Sequence, residues 1–185
     1  MLHMSQNNYS IQIVAELLKK ENHIRSLASL LKTNQTTIAR KVQELYRDNI
    51  VDFQREGRNK VIFLKKTLEA QELAYIAEQM KLIEVIEKYP LLRRIVEEIK
   101  KNEKINLAIL FGSYAKGIAR KESDIDIYLD TTNSKLKEQI ENIDSRISVK
   151  IGNYNKDSLL IKEIDKNHVV IKGVEIYYDK NKFFS

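Results

Sequence analysis

Apolar residues recur at helical spacing along the first third of the chain and then alternate with polar residues in two short runs. Residues 10–20 and 24–31 each place apolar side chains on one helical face. A third helix is predicted after Asn34, a residue type that commonly caps helix N-termini. Its inward-facing residues would be Ile38, Val42 and Leu45. The runs IVDF and KVIFL follow as predicted strands joined by a turn around Gly57.

Helix, helix, tight turn, helix and hairpin is the element order of a winged helix-turn-helix domain, and residues 8–66 resemble that family. In such a domain the third helix enters the major groove of double-stranded DNA. The resemblance implies that three side chains of this helix lie near base edges: Gln35, Thr36 and Arg40. Four cations are expected to meet phosphates: Lys41, Arg55, Arg58 and Lys60. Winged helices also serve as protein-docking or dimerisation modules, so that role stays open.

The charge of the chain is unevenly distributed and favours a polyanionic partner for this first part. The sequence of 185 residues carries a net charge of +6. Residues 1–66 hold 12 Lys and Arg against 6 Asp and Glu, whereas residues 67–185 are balanced. A basic module beside a neutral one is typical of a protein whose first part contacts nucleic acid. A surplus of this size also aids solubility, so charge alone leaves both interpretations open.

A long helix without a breaker is predicted over residues 68–88, before Tyr89 and Pro90. Four of its apolar residues follow a heptad-like spacing: Leu73, Ile76, Met80 and Ile83. This seam suits a partner helix, so a homodimer is one prediction. Packing on the chain's own domains is the alternative, and the spacing does not separate the two.

The residues with candidate chemistry follow in the second half of the chain. An apolar run from Ile105 to Phe111 has the length and composition of a buried strand, and it ends abruptly at Gly112-Ser113. Glycine allows a sharp turn and a close backbone approach to a ligand. A short helix over 113–119 would present its N-terminus, with free N–H groups, to a phosphate.

The string SDIDIYLD alternates strictly and predicts a strand with acids on one face. Asp124 and Asp126 project the same way, roughly 6.6 Å apart along the strand, and would repel each other without a positive charge between them. A hard divalent cation fits this need, because Mg²⁺ is typically held by one or two carboxylates together with phosphate oxygens. A phosphate-binding turn and a metal-binding pair close together in sequence describe a nucleotide–Mg²⁺ site.

The ordered combination of Gly112-Ser113, ten residues and Asp124-Ile125-Asp126 resembles the signature of polymerase-β-type nucleotidyltransferases. The fuller string GSYAKGIARKESDID is similar to the minimal nucleotidyltransferases of bacteria and archaea. Such domains are small α/β units, and many are encoded beside a toxin for which some act as antitoxin. A toxin-like protein is therefore one candidate partner.

This resemblance, which covers residues 91–180, implies an activity and a set of site residues. Asp124 and Asp126 would be the catalytic pair that binds Mg²⁺, or Mn²⁺, and positions a nucleoside triphosphate. The phosphates would be held by Gly112, Ser113 and Lys116. Lys116 stands where many members have Arg, which keeps the charge but loses the bidentate geometry. A nucleophile would attack the α-phosphate, and pyrophosphate would leave.

One departure from the family concerns the third acid that usually completes the metal site from the next strand. The predicted strand is 146–151, in which Lys150 stands at the expected position of the acid. Lys150 would either bind a triphosphate oxygen or pair with Asp124 or Asp126 in place of a metal ion. Asp130 is too far along its strand to substitute. Three other acids stay open as substitutes: Asp144, Asp157 and Glu163.

The rest of the chain is predicted to be structural, in an α+β fold with two domains. Helices are expected over KLKEQIENIDSR and DSLLIKEIDKNHVV, and VEIYYD is expected to be a final short strand. The predicted division is a winged helix-turn-helix domain at 1–66, a connecting helix at 67–90, and a minimal nucleotidyltransferase domain with a mixed sheet at 91–185.

Composition excludes several classes of site. The chain has no cysteine, which rules out disulfides, Cys-based zinc sites and thiol catalysis, and its three histidines are scattered. No apolar run approaches about 18 residues, so a membrane span is not expected. The start, MLHMSQNNYS, lacks the pattern of a secretory signal, so the expected location is the cytoplasm.

Three functions are consistent with these patterns. The first is an enzyme that transfers a nucleoside monophosphate to a protein or RNA acceptor, with the winged helix placing it on nucleic acid. The second is a DNA-binding transcriptional regulator whose nucleotidyltransferase domain is a non-catalytic sensor or scaffold. The third is an antitoxin-like protein that masks a partner and represses its own promoter. A third acid near the pair would favour the first function, and Lys150 bridging the pair would favour the second.

Overall fold

A computed structural model describes residues 8–57 and 59–185, and the chain divides into two compact units. The first unit extends to Met80 and includes Phe183–Ser185, and the second is Lys81–Lys182. The division at 1–66, 67–90 and 91–185 stays a prediction about which segments fold as domains. Every helix among the described residues is too short or too polar to span a lipid bilayer.

The first unit begins with three helices, α1 (Tyr9–Leu17), α2 (Ile24–Leu30) and α3 (Gln35–Arg47). The Oδ1 of Asn34 accepts a hydrogen bond from the N–H of Thr37 at 2.8 Å, which confirms Asn34 as the N-cap of α3. The predicted inward face of α3 is at most 2% exposed: Ile38, Val42 and Leu45. The amphipathic pattern therefore forms the helix that it predicts.

Strands β1 (Val51–Glu56) and β2 (Asn59–Leu64) form an antiparallel hairpin after α3. Asn22 fastens the connection between α1 and α2 to this hairpin. Its N–H donates to the carbonyl of Ile62 at 3.0 Å, and its carbonyl accepts from the N–H of Ile62 at 2.7 Å. Three helices and a hairpin in this order and packing form a winged helix-turn-helix fold, as the sequence predicts.

Helix α4 (Leu68–Lys88) is the long helix that the sequence predicts, and the division between the two units falls within it. Two residues of the predicted seam, Ile76 and Ile83, are 47% and 39% exposed, whereas Met80 is 8% exposed. The exposed isoleucines leave apolar surface that a partner helix could cover, and the homodimer stays a prediction.

The second unit contains a mixed four-stranded sheet. In spatial order its strands are β5 (Ile147–Gly152), β4 (Ile125–Asp130), β3 (Ala108–Phe111) and β6 (Val169–Lys172). The β4–β5 pair is parallel, and the other two pairs are antiparallel. One face of the sheet packs its apolar side chains against α5 (Leu92–Lys101) and α7 (Ser134–Glu141). This core supports β3 and β4, which carry the candidate chemistry.

Two predictions for the end of the chain are wrong. VEIYYD forms helix α9 (Val174–Asn181), and the end of DSLLIKEIDKNHVV forms β6 instead of continuing α8 (Leu159–Lys166). Gly173, at φ +79°, separates β6 from α9, and a Cβ there would lie 2.1 Å from the carbonyl oxygen of Asn106. Strand β6 is buried on both faces, so its sequence lacks the alternation that reveals a half-exposed strand. Helix α9 buries residues at helical spacing: Val174, Tyr177 and Tyr178.

Candidate functional site

Gly112 lies against the carboxylate of Asp126, which brings together the two motifs singled out in the sequence. Strand β3 ends at Phe111, which pairs with Asp126 on β4. The backbone then turns through Gly112 at φ +68°, where a Cβ would lie 2.1 Å from Oδ2 of Asp126. Because both the positive φ and the close carboxylate exclude a side chain, only glycine fits here. The Gly-Ser turn and the acidic strand are therefore one structural unit.

The turn continues into α6 (Gly112–Ala115), a single helical turn that is shorter than the predicted helix over 113–119. Tyr114 is 1% exposed and packs edge-on against Tyr89, with ring centroids 4.8 Å apart, which anchors the turn in the core. A helix this short has a small macrodipole. What the turn offers an anion is therefore individual backbone N–H groups together with the hydroxyl of Ser113.

The two predicted metal-binding acids, Asp124 and Asp126, differ in how deeply they are buried. Asp124 is exposed just before β4, whereas Asp126 is half-buried within it. Burial raises the pKa of the Asp126 carboxyl, repulsion from Asp124 raises this pKa further, and the charge of Lys150 lowers it. Two carboxylates that repel each other in a partly desolvated place suit a divalent cation. The donor set therefore fits Mg²⁺ or Mn²⁺ with phosphate oxygens as further ligands.

The parallel pairing of β4 with β5 shows how Ser148 and Lys150 stand relative to Asp126, while a contact of Lys150 with a triphosphate stays a prediction. Ser148 lies directly opposite Asp126, and Lys150 lies opposite Tyr128, one step further along the same face. The side chain of Lys150 is exposed, and within 8–57 and 59–185 it forms no ion pair with Asp124 or Asp126. Ser148 is thus the cross-strand neighbour of Asp126, and Lys150 does not bridge the two acids.

No third carboxylate joins the pair in the part of the chain that the structure describes, where no group of three or more His, Cys, Asp or Glu converges. Two of the proposed substitutes are engaged elsewhere. Asp144 accepts hydrogen bonds from Nε and Nη2 of Arg146 at 2.9 and 2.7 Å. Glu163 forms ion pairs with Lys116 at 3.5 Å and with Lys166 at 3.2 Å.

The other two acids considered for the site lie elsewhere in the fold, with Asp130 at the last position of β4 and Asp157 after the end of β5. Asp130 accepts a hydrogen bond from the N–H of Tyr154 at 2.8 Å and forms an ion pair with Lys180 at 3.0 Å. Asp157 lies in the turn that precedes α8. The acid set at the site is therefore Asp124 and Asp126 among the described residues.

Lys116, predicted to hold a phosphate, points its ammonium group at Glu163 of α8. The two side chains are 38% and 52% exposed, so the ion pair is weak and open to competition by a ligand. The sequence separation of the two residues hides this contact, and no pattern in either segment indicates it.

The predicted DNA-reading side chains of α3 lie on its exposed face. Gln35, Thr36 and Arg40 are all exposed. Arg40 lies 4.0 Å from Glu44, whereas Nζ of Lys41 lies only 2.6 Å from Glu44. The hydrogen bond from Lys41 lowers the pKa of Glu44. Lys41 is therefore tied to its own helix, and Arg40 is the more available cation.

On the hairpin, Arg55 and Lys60 pair across the two strands beside the turn. Nζ of Lys60 lies 5.3 Å from the centre of the Phe53 ring, and the carbonyl oxygen of Lys60 lies 3.0 Å from Nδ1 of His23. Arg58, the third predicted wing cation, lies outside the described residues. The two described cations thus stand near the tip of a hairpin that is held to the helical body.

The chain is similar to known proteins in sequence and in structure. Residues 93–180 match the family described as Polymerase beta, Nucleotidyltransferase. A Methanocaldococcus jannaschii protein named "Putative protein adenylyltransferase MJ1215" is 32% identical over 76 residues, which are 37% of this chain and 85% of the relative.

Similar solved structures include three that match up to half of this chain. Reduced HlyU from Vibrio cholerae is 25% identical, covers 42% of this chain and 77% of its own, and has a TM-score of 0.36. A homodimeric winged helix-turn-helix DNA-binding domain from Mycobacterium bovis is 20% identical, with coverages of 43% and 70% and a TM-score of 0.34. The adhesin competence repressor of Streptococcus pyogenes is 16% identical, with coverages of 50% and 69% and a TM-score of 0.42. The winged-helix fold of the first unit rests on its own element order and packing.

Proposed function

Because this chain belongs to the polymerase beta nucleotidyltransferase family, we propose that its second unit binds a nucleoside triphosphate with a divalent cation and transfers a nucleoside monophosphate to a protein acceptor. The observation that carries this proposal is the contact between Gly112 and Asp126, which sets a bare backbone turn beside an acid pair. The name of the archaeal relative supports a protein acceptor and adenylate as the transferred group. RNA is the alternative acceptor class.

Each residue of the site has a distinct part in this proposal. Asp124 and Asp126 would hold the divalent cation, and a cation bound there would supply positive charge to the triphosphate. Gly112 and Ser113 bind phosphate oxygens through N–H and hydroxyl groups. Lys116 joins them when the phosphate displaces Glu163 from its ammonium group.

The transfer itself exchanges one phosphorus–oxygen bond for another. The acceptor hydroxyl oxygen bonds to the α-phosphorus, the bond from that phosphorus to the bridging oxygen breaks, and pyrophosphate leaves. The proton of the acceptor hydroxyl is released to solvent. The chain's own residues therefore act by binding and orienting the triphosphate.

The first unit is proposed to bind double-stranded DNA through α3 and the hairpin. Gln35, Thr36 and Arg40 would reach base edges, and Arg55 and Lys60 would contact phosphates. The support is their exposure on the winged helix together with the confinement of the net positive charge to the first 66 residues.

The test of transfer uses nucleotides radiolabelled at the α-phosphate, each base in turn, with Mg²⁺ or Mn²⁺ and with cellular protein or RNA as acceptor. We expect label on a protein with the wild type and no label with Asp124→Ala/Asp126→Ala. The matched control, Glu122→Ala/Asp157→Ala, removes two exposed acids from the same unit and should transfer normally. Label that persists in the Asp124/Asp126 variant would contradict the site.

A second function is favoured by Ser148, which stands opposite Asp126 as a neutral side chain. With no third acid beside the pair among the described residues, the site would bind Mg-NTP without transfer, and the chain would be a nucleotide-responsive transcriptional regulator. This function requires that Mg-NTP change the affinity for DNA by at least a few-fold, which fluorescence anisotropy measures. Binding without label transfer and with such a change would select the regulator, whereas transfer would select the enzyme.

A further inference from the structure

The first unit contains a cavity of about 680 Å³ between the end of α1, the last residues of β2 and Phe183. This volume lies within the range of roughly 300–1,000 Å³ that is typical of small-molecule sites. None of the described residues assigned above to DNA or nucleotide binding lines it. The cavity therefore has no part in either proposed function.

The floor of the cavity is apolar. It is formed by residues from three separate segments: Leu17, Leu18, Phe63, Leu64 and Phe183. Leu17 is buried, and the other four are half-buried, so apolar side-chain surface faces the open space. An apolar ligand would be stabilised here because its binding removes both surfaces from water.

The rim of the cavity is cationic. It holds four lysines and one acid: Lys19, Lys20, Lys65, Lys66 and Glu21. Lys19 is paired with Glu16 at 2.7 Å, and Lys65 donates to Asn49 at 2.8 Å. Lys20 has no side-chain hydrogen bond or ion pair with any residue of 8–57 or 59–185, and it is exposed at the rim. Lys20 is thus the cation best placed to accept an anionic ligand group.

The chain itself provides an internal precedent for this combination of contacts. Phe183 lines the cavity, and two residues later the carbonyl oxygen of Ser185 accepts a hydrogen bond from Nζ of Lys66. An apolar group and an oxygen acceptor a short distance apart therefore satisfy the floor and the rim together. A ligand with the same two features can use the open remainder of the cavity.

The cavity is also well separated from the tip of the hairpin. Leu64 pairs with Val51, four register steps from the pair of Arg55 and Lys60, which corresponds to about 13 Å along the strands. A ligand in the cavity would leave these two cations uncovered. Its binding can therefore be measured separately from DNA binding.

We propose that this cavity binds a small amphipathic anion, with an apolar body against the leucine and phenylalanine floor and a carboxylate on Lys20. A medium-chain fatty acid has both features and is small enough for a volume of about 680 Å³. This site goes beyond the nucleotidyltransferase and DNA-binding functions, and it holds whether or not either of them is found.

Isothermal titration calorimetry on the full chain tests the proposal with three probes: octanoate, 1-octanol and acetate. Octanoate carries both features, 1-octanol lacks the charge, and acetate lacks the apolar chain. We expect octanoate to bind about tenfold more tightly than 1-octanol, because a charge-assisted contact adds to the same apolar contact. Acetate should show no saturable binding.

Two variants locate the site. Lys20→Gln should reduce octanoate affinity to that of 1-octanol, and Leu18→Ala should weaken both ligands. The matched control, Arg25→Gln, removes an exposed cation that does not line the cavity and should change nothing. Equal binding of octanoate and 1-octanol, saturable binding of acetate, absence of octanoate binding, or indifference to Lys20→Gln would each overturn the proposal.

Discussion

On helix α3 the predicted DNA-reading side chains are exposed to solvent, whereas in the second unit the carboxylate of Asp126 is half-buried against Gly112. An exposed cation contributes to binding on its own and can be replaced without moving its neighbours. The carboxylate of Asp126 cannot be replaced in this way. It is packed against the backbone of Gly112, so a change in either residue displaces the other. Substitutions should therefore have graded effects in the first unit and nearly all-or-none effects at the site of the second.

The largest effect is expected from Gly112→Ala. The added Cβ would lie 2.1 Å from Oδ2 of Asp126, so either the turn or the carboxylate must move. We expect the affinity for Mg-ATP to fall by about a hundredfold or more, while the affinity for DNA is unchanged. Calorimetry with Mg-ATP and fluorescence anisotropy with DNA measure the two affinities.

Gly117→Ala is the matched control for this prediction. Gly117 has a similar φ of +70°, but a Cβ there would meet only the flexible Nζ of Lys88 at 3.4 Å. The control therefore includes the strain of a positive φ without the collision with an acid. If Gly112→Ala and Gly117→Ala lose the same affinity for Mg-ATP, the contact between Gly112 and Asp126 is not the cause of the loss.

The next effect concerns Ser148→Asp, which adds a carboxylate opposite Asp126. Because divalent cations gain affinity with the number of charged oxygen ligands, we expect Mn²⁺ to bind about tenfold more tightly. Electron paramagnetic resonance of free Mn²⁺, with and without ATP, measures this affinity. Ser148→Asn supplies a control of the same shape without the charge. Unchanged Mn²⁺ affinity in Ser148→Asp would contradict the position that the register assigns to residue 148.

A smaller, graded effect is expected from Arg40→Ala in the first unit. Loss of one exposed cation that contacts a base edge should weaken DNA binding about fivefold. Arg47→Ala, in the last turn of α3, removes a cation outside the predicted reading surface and is the control. DNA affinity measured at several salt concentrations checks the prediction. Equal affinities of Arg40→Ala and wild type would exclude α3 as the reading helix.

The smallest effect is on stability, through the ion pair of Asp144 with Arg146. Hydrogen bonds from Arg146 lower the pKa of Asp144 to about 2. At neutral pH, Asp144→Asn should lower the free energy of unfolding by about 1 kcal/mol, since the pair is partly exposed. A depressed pKa stabilises the fold above the pKa of the unfolded chain, near 3.8, and this contribution disappears as pH falls through about 2.

Urea unfolding at neutral pH and near the acid limit of stability measures this difference. Asp157→Asn, which removes the charge of an exposed acid in a turn, is the control and should show little change. The difference in the free energy of unfolding between wild type and Asp144→Asn should shrink as the Asp144 carboxyl is protonated. A difference that stays constant with pH would show that packing, and not charge, is the source of the stability.

Much of both units could be predicted from local pattern. The spacing of Ile38, Val42 and Leu45, with Asn34 as cap, identifies α3 because a helix repeats within a few residues. Alternation likewise identifies β4. The end of the chain could not be read in this way, because β6 is apolar on both faces and resembles the end of the preceding helix.

The candidate site shows the same limit more sharply. Side-chain parity along β5 places Ser148 and Lys150 on one face, but it does not say which of them meets Asp126. That choice depends on the register between strands separated in sequence, and it falls on Ser148. The contact of Lys116 with Glu163 is equally non-local, since Lys116 directly follows α6 whereas Glu163 lies within α8.

Residue types and their spacing thus suffice for the helices, the strand faces, the Gly-Ser turn and the acid pair, because these features arise from interactions between near neighbours along the backbone. Tertiary packing alone sets Gly112 against Asp126, places Ser148 beside the pair and engages Lys116 with Glu163. The physical reason is that strand register and helix placement are determined by the burial of the whole core. A local segment does not contain that information.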